Sequence, residues 1–210
     1  MPLSSVIPAW IDAEAVDDAK ESLRAAVADR RSKRGDQKQD AAALAISDHL
    51  LSLPELDGVE CVSIYASMPG EPGTLPTIEA LASRGVRLLL PVLGEGLTRC
   101  WGEYTGMADL VERAPGRPPE PSGETLPQEA IAEAEVIVAP AMAVDGTGTR
   151  LGQGGGWYDR VLKKARPDAL VVAVAFPDEV ILEGGTLPRA SHDVRVHAVV
   201  TPEGVTRFTR

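Results

Sequence analysis

The residues that could do chemistry are concentrated in one glycine-dense segment, Arg150–Arg160, which reads Arg-Leu-Gly-Gln-Gly-Gly-Gly-Trp-Tyr-Asp-Arg. Four of the five positions from Gly152 to Gly156 are glycine. Glycine allows positive φ angles and close approach of a ligand to the backbone, and free N–H groups at the start of a following helix favour anionic oxygens. With Arg150 to neutralise charge, the segment predicts a cradle for phosphate groups.

The spacing excludes two common phosphate-binding loops. The Gly-Lys-Ser/Thr of a Walker A loop is absent, and a Gly-x-Gly-x-x-Gly pattern begun at Gly152 meets Trp157 in place of its last glycine. The same pattern begun at Gly146 fails at Leu151. The alternative interpretation is a turn that only packs a helix against a sheet. Gly155 distinguishes the two, because we expect positive φ and close phosphate approach there.

Asp159, just after the glycines, allows two interpretations. A carboxylate in the first helical turn interacts favourably with the helix dipole. It can equally bind magnesium, which takes few protein carboxylates and keeps waters and phosphate oxygens. Asp193 is the candidate for a second metal ligand. His192 beside it could carry a proton, but we leave it outside the predicted catalytic set.

Lys20 and Arg24 form a candidate cationic pair near the other end of the chain. On a helix they differ by about 40° in angle and share one face. This face borders an apolar stripe that includes Leu23 and Val27. The two cations could therefore point into a cleft or simply form a solvated basic face.

A third candidate segment, Ser67–Thr74, follows an apolar run and is rich in Pro and Gly. In open α/β sheets, ligands bind at the carboxyl ends of strands. Met68 offers an adaptable apolar contact and Glu71 a hydrogen-bond acceptor, although the same residues suit a capped turn. Trp157 and Tyr158 could stack on a flat heterocycle or pack in the core.

The elements that must position these residues alternate between helix and strand. Helical patterns cover residues 13–34, 41–53, 75–83 and 157–165. Short β-rich runs cover residues 59–65, 86–92, 136–139, 170–175 and 194–200. Because several runs are apolar almost throughout, we expect a sheet covered on both faces. The β-α-β order predicts a doubly wound α/β fold with a mainly parallel sheet.

Length and charge limit the organisation and the partners. The chain of 210 residues favours a single domain, residues 1–210, in which we expect residues 1–15 to be disordered and residues 112–127 to be an irregular excursion. A net charge of −10 disfavours binding to nucleic acid or to an anionic membrane. No apolar run approaches the length of a membrane span, and Cys61 and Cys100 lack metal or redox spacing. We expect a cytoplasmic monomer.

Taken together, four motifs resemble the 5-formyltetrahydrofolate cyclo-ligase (5,10-methenyltetrahydrofolate synthetase) family in type and order. They are Lys20-x-x-x-Arg24, Ser67–Thr74, Arg150–Arg160 and His192-Asp193. The resemblance implies a three-layer α/β/α sandwich with a mainly parallel, Rossmann-like sheet. It also implies cyclisation of 5-formyltetrahydrofolate, polyglutamylated forms included, to 5,10-methenyltetrahydrofolate. ATP and magnesium would be required, and the reaction would pass through a phosphorylated formyl group.

The resemblance assigns roles to individual residues. Lys20, Arg24 and Arg150 would be catalytic through the ATP phosphates, and Asp159 and Asp193 would hold magnesium. The nucleotide would contact Lys20, Arg24, Arg150, Leu151, Gly152, Gln153, Gly154, Gly155, Gly156, Trp157 and Tyr158. The folate would contact Met68, Glu71, Gly73, Gln153, Gly154, Gly155, Gly156 and Trp157.

The chain departs from the family pattern in the substrate region. Trp157 stands where the family usually has Tyr, Gln153 where Tyr or Arg is common, and Gly73 where an acidic residue often follows the glutamate. Pro177–Glu179 replaces the usual Gln after a late strand.

Two rival functions remain on sequence grounds. One is a metal-free sugar-phosphate isomerase or acyl-transferring enzyme in which Glu71 or His192 moves protons. The other is a nucleotide-binding regulator without catalysis. Turnover without ATP would identify the first, and binding without turnover the second.

Overall fold

A computed structural model describes Leu3 and residues 15–94, 96, 98–113, 116–191 and 193–209. The expected disorder of residues 1–15 therefore concerns residues that lie, apart from Leu3 and Ala15, outside the described part of the chain. His192 also lies outside it.

Four α-helices occur in the described residues, all near predicted positions. They are α1 (Ala15–Ser32), α2 (Asp36–Leu51), α3 (Leu75–Ser83) and α4 (Trp157–Val161). Helix α2 begins five residues before the predicted start at residue 41, because its first turns are polar and carry no apolar periodicity. Helix α4 is shorter than predicted, since the chain tightens into a 3-10 turn at Leu162–Lys164.

The strands of the described residues are mostly short. They are β1 (Cys61–Ser63), β2 (Arg87–Leu93), β3 (Arg99–Glu103), β4 (Leu110–Val111), β5 (Glu120–Pro121), β6 (Thr125–Leu126), β7 (Val136–Pro140), β8 (Ala143–Asp145), β9 (Arg150–Leu151), β10 (Leu170–Val174), β11 (Val180–Ile181), β12 (Ala198–Thr201) and β13 (Gly204–Arg207). Eight of them form the central sheet, in the order β13-β12-β10-β7-β1-β2-β3-β6.

The five predicted strands form the centre of this sheet. Neighbours in the series β12-β10-β7-β1-β2 all pair in parallel. Antiparallel strands β13 and β3 flank them, and β6 extends the β3 edge. The predicted mainly parallel sheet is confirmed, and the antiparallel additions make the sheet wider than the sequence patterns indicated.

Side chains alternate between two apolar layers on the faces of the sheet. On one face, strand residues such as Val62 and Val138 pack with Ile46 of α2 and Ile78 of α3. On the other face, Ile137 packs with a cluster that includes residues of α4 and its 3-10 extension. This arrangement confirms the three-layer α/β/α sandwich. The central strands read as continuous apolar runs because both of their faces are buried.

Helix α1 and two small sheets complete the described structure. Leu23 and Val27 of α1 are fully buried against a third apolar cluster that includes Leu151 of β9. Strands β11, β8 and β9 form a three-stranded sheet, and β4 pairs with β5. No helix in the described residues is both long and apolar enough to cross a membrane.

Candidate active site

The glycine segment connects β9 to α4. Gly154 has a φ of +103° and Gly156, the N-cap of α4, a φ of +60°. Gly155 is not in the positive-φ region, and a Cβ built on it would meet no atom within 4 Å. The expectation of positive φ at Gly155 is therefore wrong, because the left-handed conformations that turn the loop fall on its neighbours. The open space beside Gly155 leaves its backbone accessible.

Asp145 fixes the turn that leads into this segment, and the sequence analysis did not single it out. Its carboxylate is fully buried. Oδ1 accepts hydrogen bonds from the N–H groups of Thr147 and Thr149 at 2.8 and 3.1 Å, and Oδ2 accepts one from the N–H of Leu187 at 2.8 Å. The Asp-Gly-Thr-Gly-Thr sequence is the signal that could have revealed it, since Asp and Thr side chains commonly bond to the backbone of their own turns.

Arg150 lies at the end of this turn with its guanidinium buried. Nη1 donates to the carbonyl of Pro140 at 3.1 Å and Nη2 to Oδ1 of Asp159 at 2.9 Å. Nε is buried and has no hydrogen-bond acceptor among the described residues. A Cβ on Gly152 would lie 3.0 Å from Nη1, so the loop passes closely over the guanidinium. The side chain of Arg150 therefore holds one N–H donor, at Nε, without an acceptor in the neighbourhood of the glycine loop.

Both cations of α1 contact other parts of the fold, which decides between the two orientations left open by the sequence. Lys20 is buried, and its Nζ lies 2.5 Å from Oδ2 of Asp193. Arg24 donates from Nε to the carbonyl of Gly152 at 2.9 Å. Its guanidinium carbon would lie 3.5 Å from a Cβ on Gly154. Neither residue is part of a solvated basic face.

An ion pair that the sequence analysis missed anchors the last turn of α1. Arg31 donates from Nε to Oε1 of Glu179 at 2.7 Å and from Nη2 to the carbonyl of Ala141 at 2.7 Å. Both side chains of the pair are buried. Arg31 follows Lys20 by eleven residues, a separation that returns to nearly the same helical face. That spacing was the available signal.

A cavity of about 540 Å³ opens between the glycine loop and the carboxyl ends of β1 and β2. This volume is within the range of small-molecule sites, which is about 300–1,000 Å³. Its walls are Tyr65, Ala66, Glu71, Pro91, Val92, Leu93, Arg99, Arg117, Pro118, Pro119, Glu120, Pro140, Arg150, Gly152, Gln153, Gly154, Gly155, Gly156, Trp157, Tyr158 and Asp159.

Glu71 brings the loop after β1 into this cavity. Its Oε2 accepts a hydrogen bond from the N–H of Met68 at 2.8 Å, and its Oε1 accepts one from Nε2 of Gln153. Burial raises the pKa of Glu71, against the opposing effect of the Met68 N–H. Met68 itself is half-buried and lies outside the cavity wall, as does Gly73, where a Cβ would lie 2.5 Å from Cβ of Ala43 in α2.

Trp157 and Tyr158 have different environments. The ring of Trp157 is half-buried, lines the cavity, and meets Trp101 edge-on with centroids 4.6 Å apart. Tyr158 is buried in the core, burial raises the pKa of its hydroxyl, and that hydroxyl has no hydrogen-bond partner among the described residues. Leu151 of β9 is buried in the third apolar cluster, so only its backbone is near the loop.

Asp159 and Asp193 are brought close together. The N–H of Val194 is 3.4 Å from Oδ1 of Asp159, which places the residue after Asp193 against the first aspartate. Among the described residues no group of three or more His, Cys, Asp or Glu could hold a metal ion. Two carboxylates suit magnesium, which completes its shell with waters and phosphate oxygens.

The chain is similar to the members of a known protein family. Residues 16–202 match the 5-formyltetrahydrofolate cyclo-ligase family. The 5-formyltetrahydrofolate cyclo-ligase of Mycolicibacterium smegmatis is 37% identical over 191 residues, which cover 88% of this chain and 94% of that protein. The 5-formyltetrahydrofolate cyclo-ligase of Escherichia coli K12 is 30% identical and covers 84% and 96%, respectively.

Solved structures agree with the fold. The 5,10-methenyltetrahydrofolate synthetase of Aquifex aeolicus superimposes with a TM-score of 0.75 at 30% identity, covering 91% of this chain and 93% of that one. The 5,10-methenyltetrahydrofolate synthetase of Mycoplasma pneumoniae gives a TM-score of 0.68 at 16% identity, covering 88% and 99%, and at that identity supports the fold alone.

Proposed function

The chain belongs to the 5-formyltetrahydrofolate cyclo-ligase family, and we propose that it cyclises 5-formyltetrahydrofolate to 5,10-methenyltetrahydrofolate with ATP and magnesium, releasing ADP and phosphate. The observation that carries the proposal is the glycine loop Gly152–Gly156. It forms a wall of the cavity and is also contacted by a cation of α1. A loop in that position can hold phosphates beside a second ligand.

The chemistry explains the requirement for ATP. A formamide carbon is a poor electrophile and its oxygen a poor leaving group. Transfer of a phosphoryl group to that oxygen allows the neighbouring amine to close the ring and phosphate to leave. Alignment and neutralisation of charge are then the main tasks of the protein, and no protein nucleophile is needed.

We assign the neutralisation of phosphate charge to cations of the site, two of which pair with carboxylates in the structure. Lys20 contacts Asp193, and Arg150 contacts Asp159. We propose that Lys20, Arg24 and Arg150 neutralise the phosphates, with backbone N–H groups of the glycine loop as further donors. Asp159 and Asp193 would hold magnesium, which when bound neutralises phosphate charge.

The folate would occupy the cavity. Glu71 is a half-buried acceptor beside Gln153, and a carboxylate suits the N–H donors of a pterin ring. Trp157 offers an aromatic surface at the same wall. Met68 would contribute through its backbone N–H, which orients the carboxylate of Glu71. Gly73 would contribute by allowing the loop to lie close to α2.

We also propose that the chain acts as one domain, because strands from both halves join one sheet.

One assay tests the proposal. Purified protein is incubated with 5-formyltetrahydrofolate and MgATP while the absorbance of the methenyl product is followed, with ATP or magnesium omitted in parallel. We expect product only in the complete mixture. Arg84→Gln, at an exposed residue that ends α3, is the matched arginine control for substitutions at Arg150. Product without ATP would support the isomerase or acyl-transfer rival, and ATP binding without product would support the regulator.

A further inference from the structure

Two arginines in the cavity wall, Arg99 and Arg117, have no carboxylate partner among the described residues. Arg99 of β3 donates from Nη2 to the carbonyl of Gly155 at 3.1 Å, and its Nε is buried without an acceptor. Arg117 lines the cavity, and no hydrogen bond or ion pair joins it to another described residue. Burial, and then the nearby charge of Arg160, lower the pKa of Arg99. Neither guanidinium is therefore neutralised by direct contact with a described carboxylate.

The acidic residues of the cavity are already engaged elsewhere. Glu71 accepts hydrogen bonds from the Met68 N–H and from Gln153, and Asp159 from Arg150. Glu120 accepts one from the N–H of Leu93 at 3.1 Å. Its other oxygen lies 3.2 Å from Nε of Arg113, in a contact that is electrostatic and not a directed hydrogen bond. Arg99 and Arg117 are thus available for an anion brought by a ligand.

We infer that Arg99 and Arg117 form a site for the glutamate carboxylates of the folate substrate, an inference that rests on the proposed function. A folate carries an acidic glutamate tail at the end remote from its pterin ring. Glu71, the acceptor assigned to the pterin, and these two cations line one cavity. Arginine donors suit carboxylates, since two N–H groups can address both oxygens.

Nucleotide phosphates are the other possible source of an anion. Arg150 and the glycine segment, which are assigned to them, also line the cavity, but the α1 cations Lys20 and Arg24 do not. Arg24 reaches the glycine segment from outside the cavity, so phosphates held by α1 would lie away from Arg117. Arg117 also adjoins Pro118 and Pro119, which restrict the backbone beside it. A preformed wall of this kind suits a ligand that stays in one orientation.

The test compares two ligands that differ only in the tail. Binding of 5-formyltetrahydrofolate and of the N-methylamide of 5-formyltetrahydropteroic acid, which has an uncharged methyl group in place of the glutamate, is measured by calorimetry without ATP for wild type, Arg117→Gln, Arg99→Gln and the control Arg84→Gln. We expect the Kd of the glutamate-bearing ligand to rise by at least about tenfold in the two cavity variants. Their affinity for the tail-less ligand should match that of wild type and of the control. The KM for ATP should be unchanged in Arg117→Gln, whereas Arg99 also contacts the carbonyl of Gly155 and its variant is judged on ligand binding alone.

The outcomes separate the inference from the proposed function. Equal weakening for both ligands would overturn the tail site in favour of a structural role. A raised KM for ATP in Arg117→Gln, with binding of both folate ligands unchanged, would assign that arginine to phosphate. Unchanged binding of both ligands would also overturn the inference. The proposed function fails only if wild type, in the complete mixture, forms no methenyl product.

Discussion

Arg150 and Asp159 form an ion pair within the glycine segment, with Nη2 2.9 Å from Oδ1, and the arginine side chain is 2% exposed. Asp159 therefore pairs with a side-chain cation in addition to any interaction with the helix dipole. The dipole of α4 is weak, because the helix has only five residues. Arg150, the candidate for binding phosphate, and Asp159, the candidate for binding magnesium, are therefore in direct contact.

Arg150→Met should destabilise the fold as well as abolish turnover. Removing one member of a buried pair leaves the other charge uncompensated, at a cost of about 3–5 kcal/mol. We expect Arg150→Met combined with Asp159→Asn to recover part of that stability, since the orphaned charge is gone, while activity stays at least about tenfold down. Urea unfolding without ligand and the methenyl assay measure the two effects. Strictly additive losses of stability would show that the two side chains do not interact.

Alanine at Gly154 and Gly155 should have different effects. Gly154 has a φ of +103° and lies over Arg24, so Gly154→Ala should lower stability by about 1–3 kcal/mol. Gly155 has open space, so Gly155→Ala should leave the melting temperature nearly unchanged and raise the KM for ATP. Thermal melts and ATP titrations of both variants check this. A destabilised Gly155→Ala with normal KM would favour the packing-turn interpretation.

The five parallel strands were predictable because burial on both faces leaves continuous apolar runs of Val, Ile, Leu and Ala. Strands such as β9, with two residues, were not, because two residues cannot show a period. Strand β3 was missed because its sequence, Arg-Cys-Trp-Gly-Glu, is neither alternating nor uniformly apolar.

In the candidate site too, residues close together in the sequence were predictable and contacts between distant residues were not. The glycines, Arg150 and Asp159 lie within ten residues and were found as a motif. Lys20 and Asp193 are 173 positions apart, so residue spacing could not indicate their contact. Glu179, the partner of Arg31, was hidden in a segment noted only as a departure from the family pattern.

Glu71 should make stability depend on pH in a defined direction. Burial raises the pKa of Glu71 above its ordinary value of 4.5. The folded state then binds this proton more tightly than the unfolded state, so the associated stability is present below the unfolded pKa and lost as pH rises through the folded pKa. Glu71→Gln removes the titration. We expect the difference in melting temperature, variant minus wild type, to become more positive from about pH 4 to about pH 7. A difference independent of pH would contradict this assignment.

The last prediction concerns the metal roles of Asp159 and Asp193. If Asp159 is a ligand, Asp159→Asn should raise the magnesium concentration for half-maximal activity by about tenfold or more. Loss of a residue that only hydrogen-bonds to a metal ligand already lowers metal affinity by about tenfold. Asp193→Asn should act in the same direction but more mildly.

A magnesium titration of the folate-dependent ATPase rate, with thermal melts without ligand, separates the interpretations. Asp168→Asn is the matched control, because Asp168 pairs with Arg166 on the exposed surface. A purely dipolar Asp159 would lose about 0.3–1 kcal/mol of stability and leave the magnesium dependence unchanged. An Asp159 that only holds Arg150 would raise the KM for ATP at saturating magnesium instead. Magnesium curves of both variants that superimpose on those of wild type and Asp168→Asn would remove the two aspartates from the metal site, whatever the melting temperatures show.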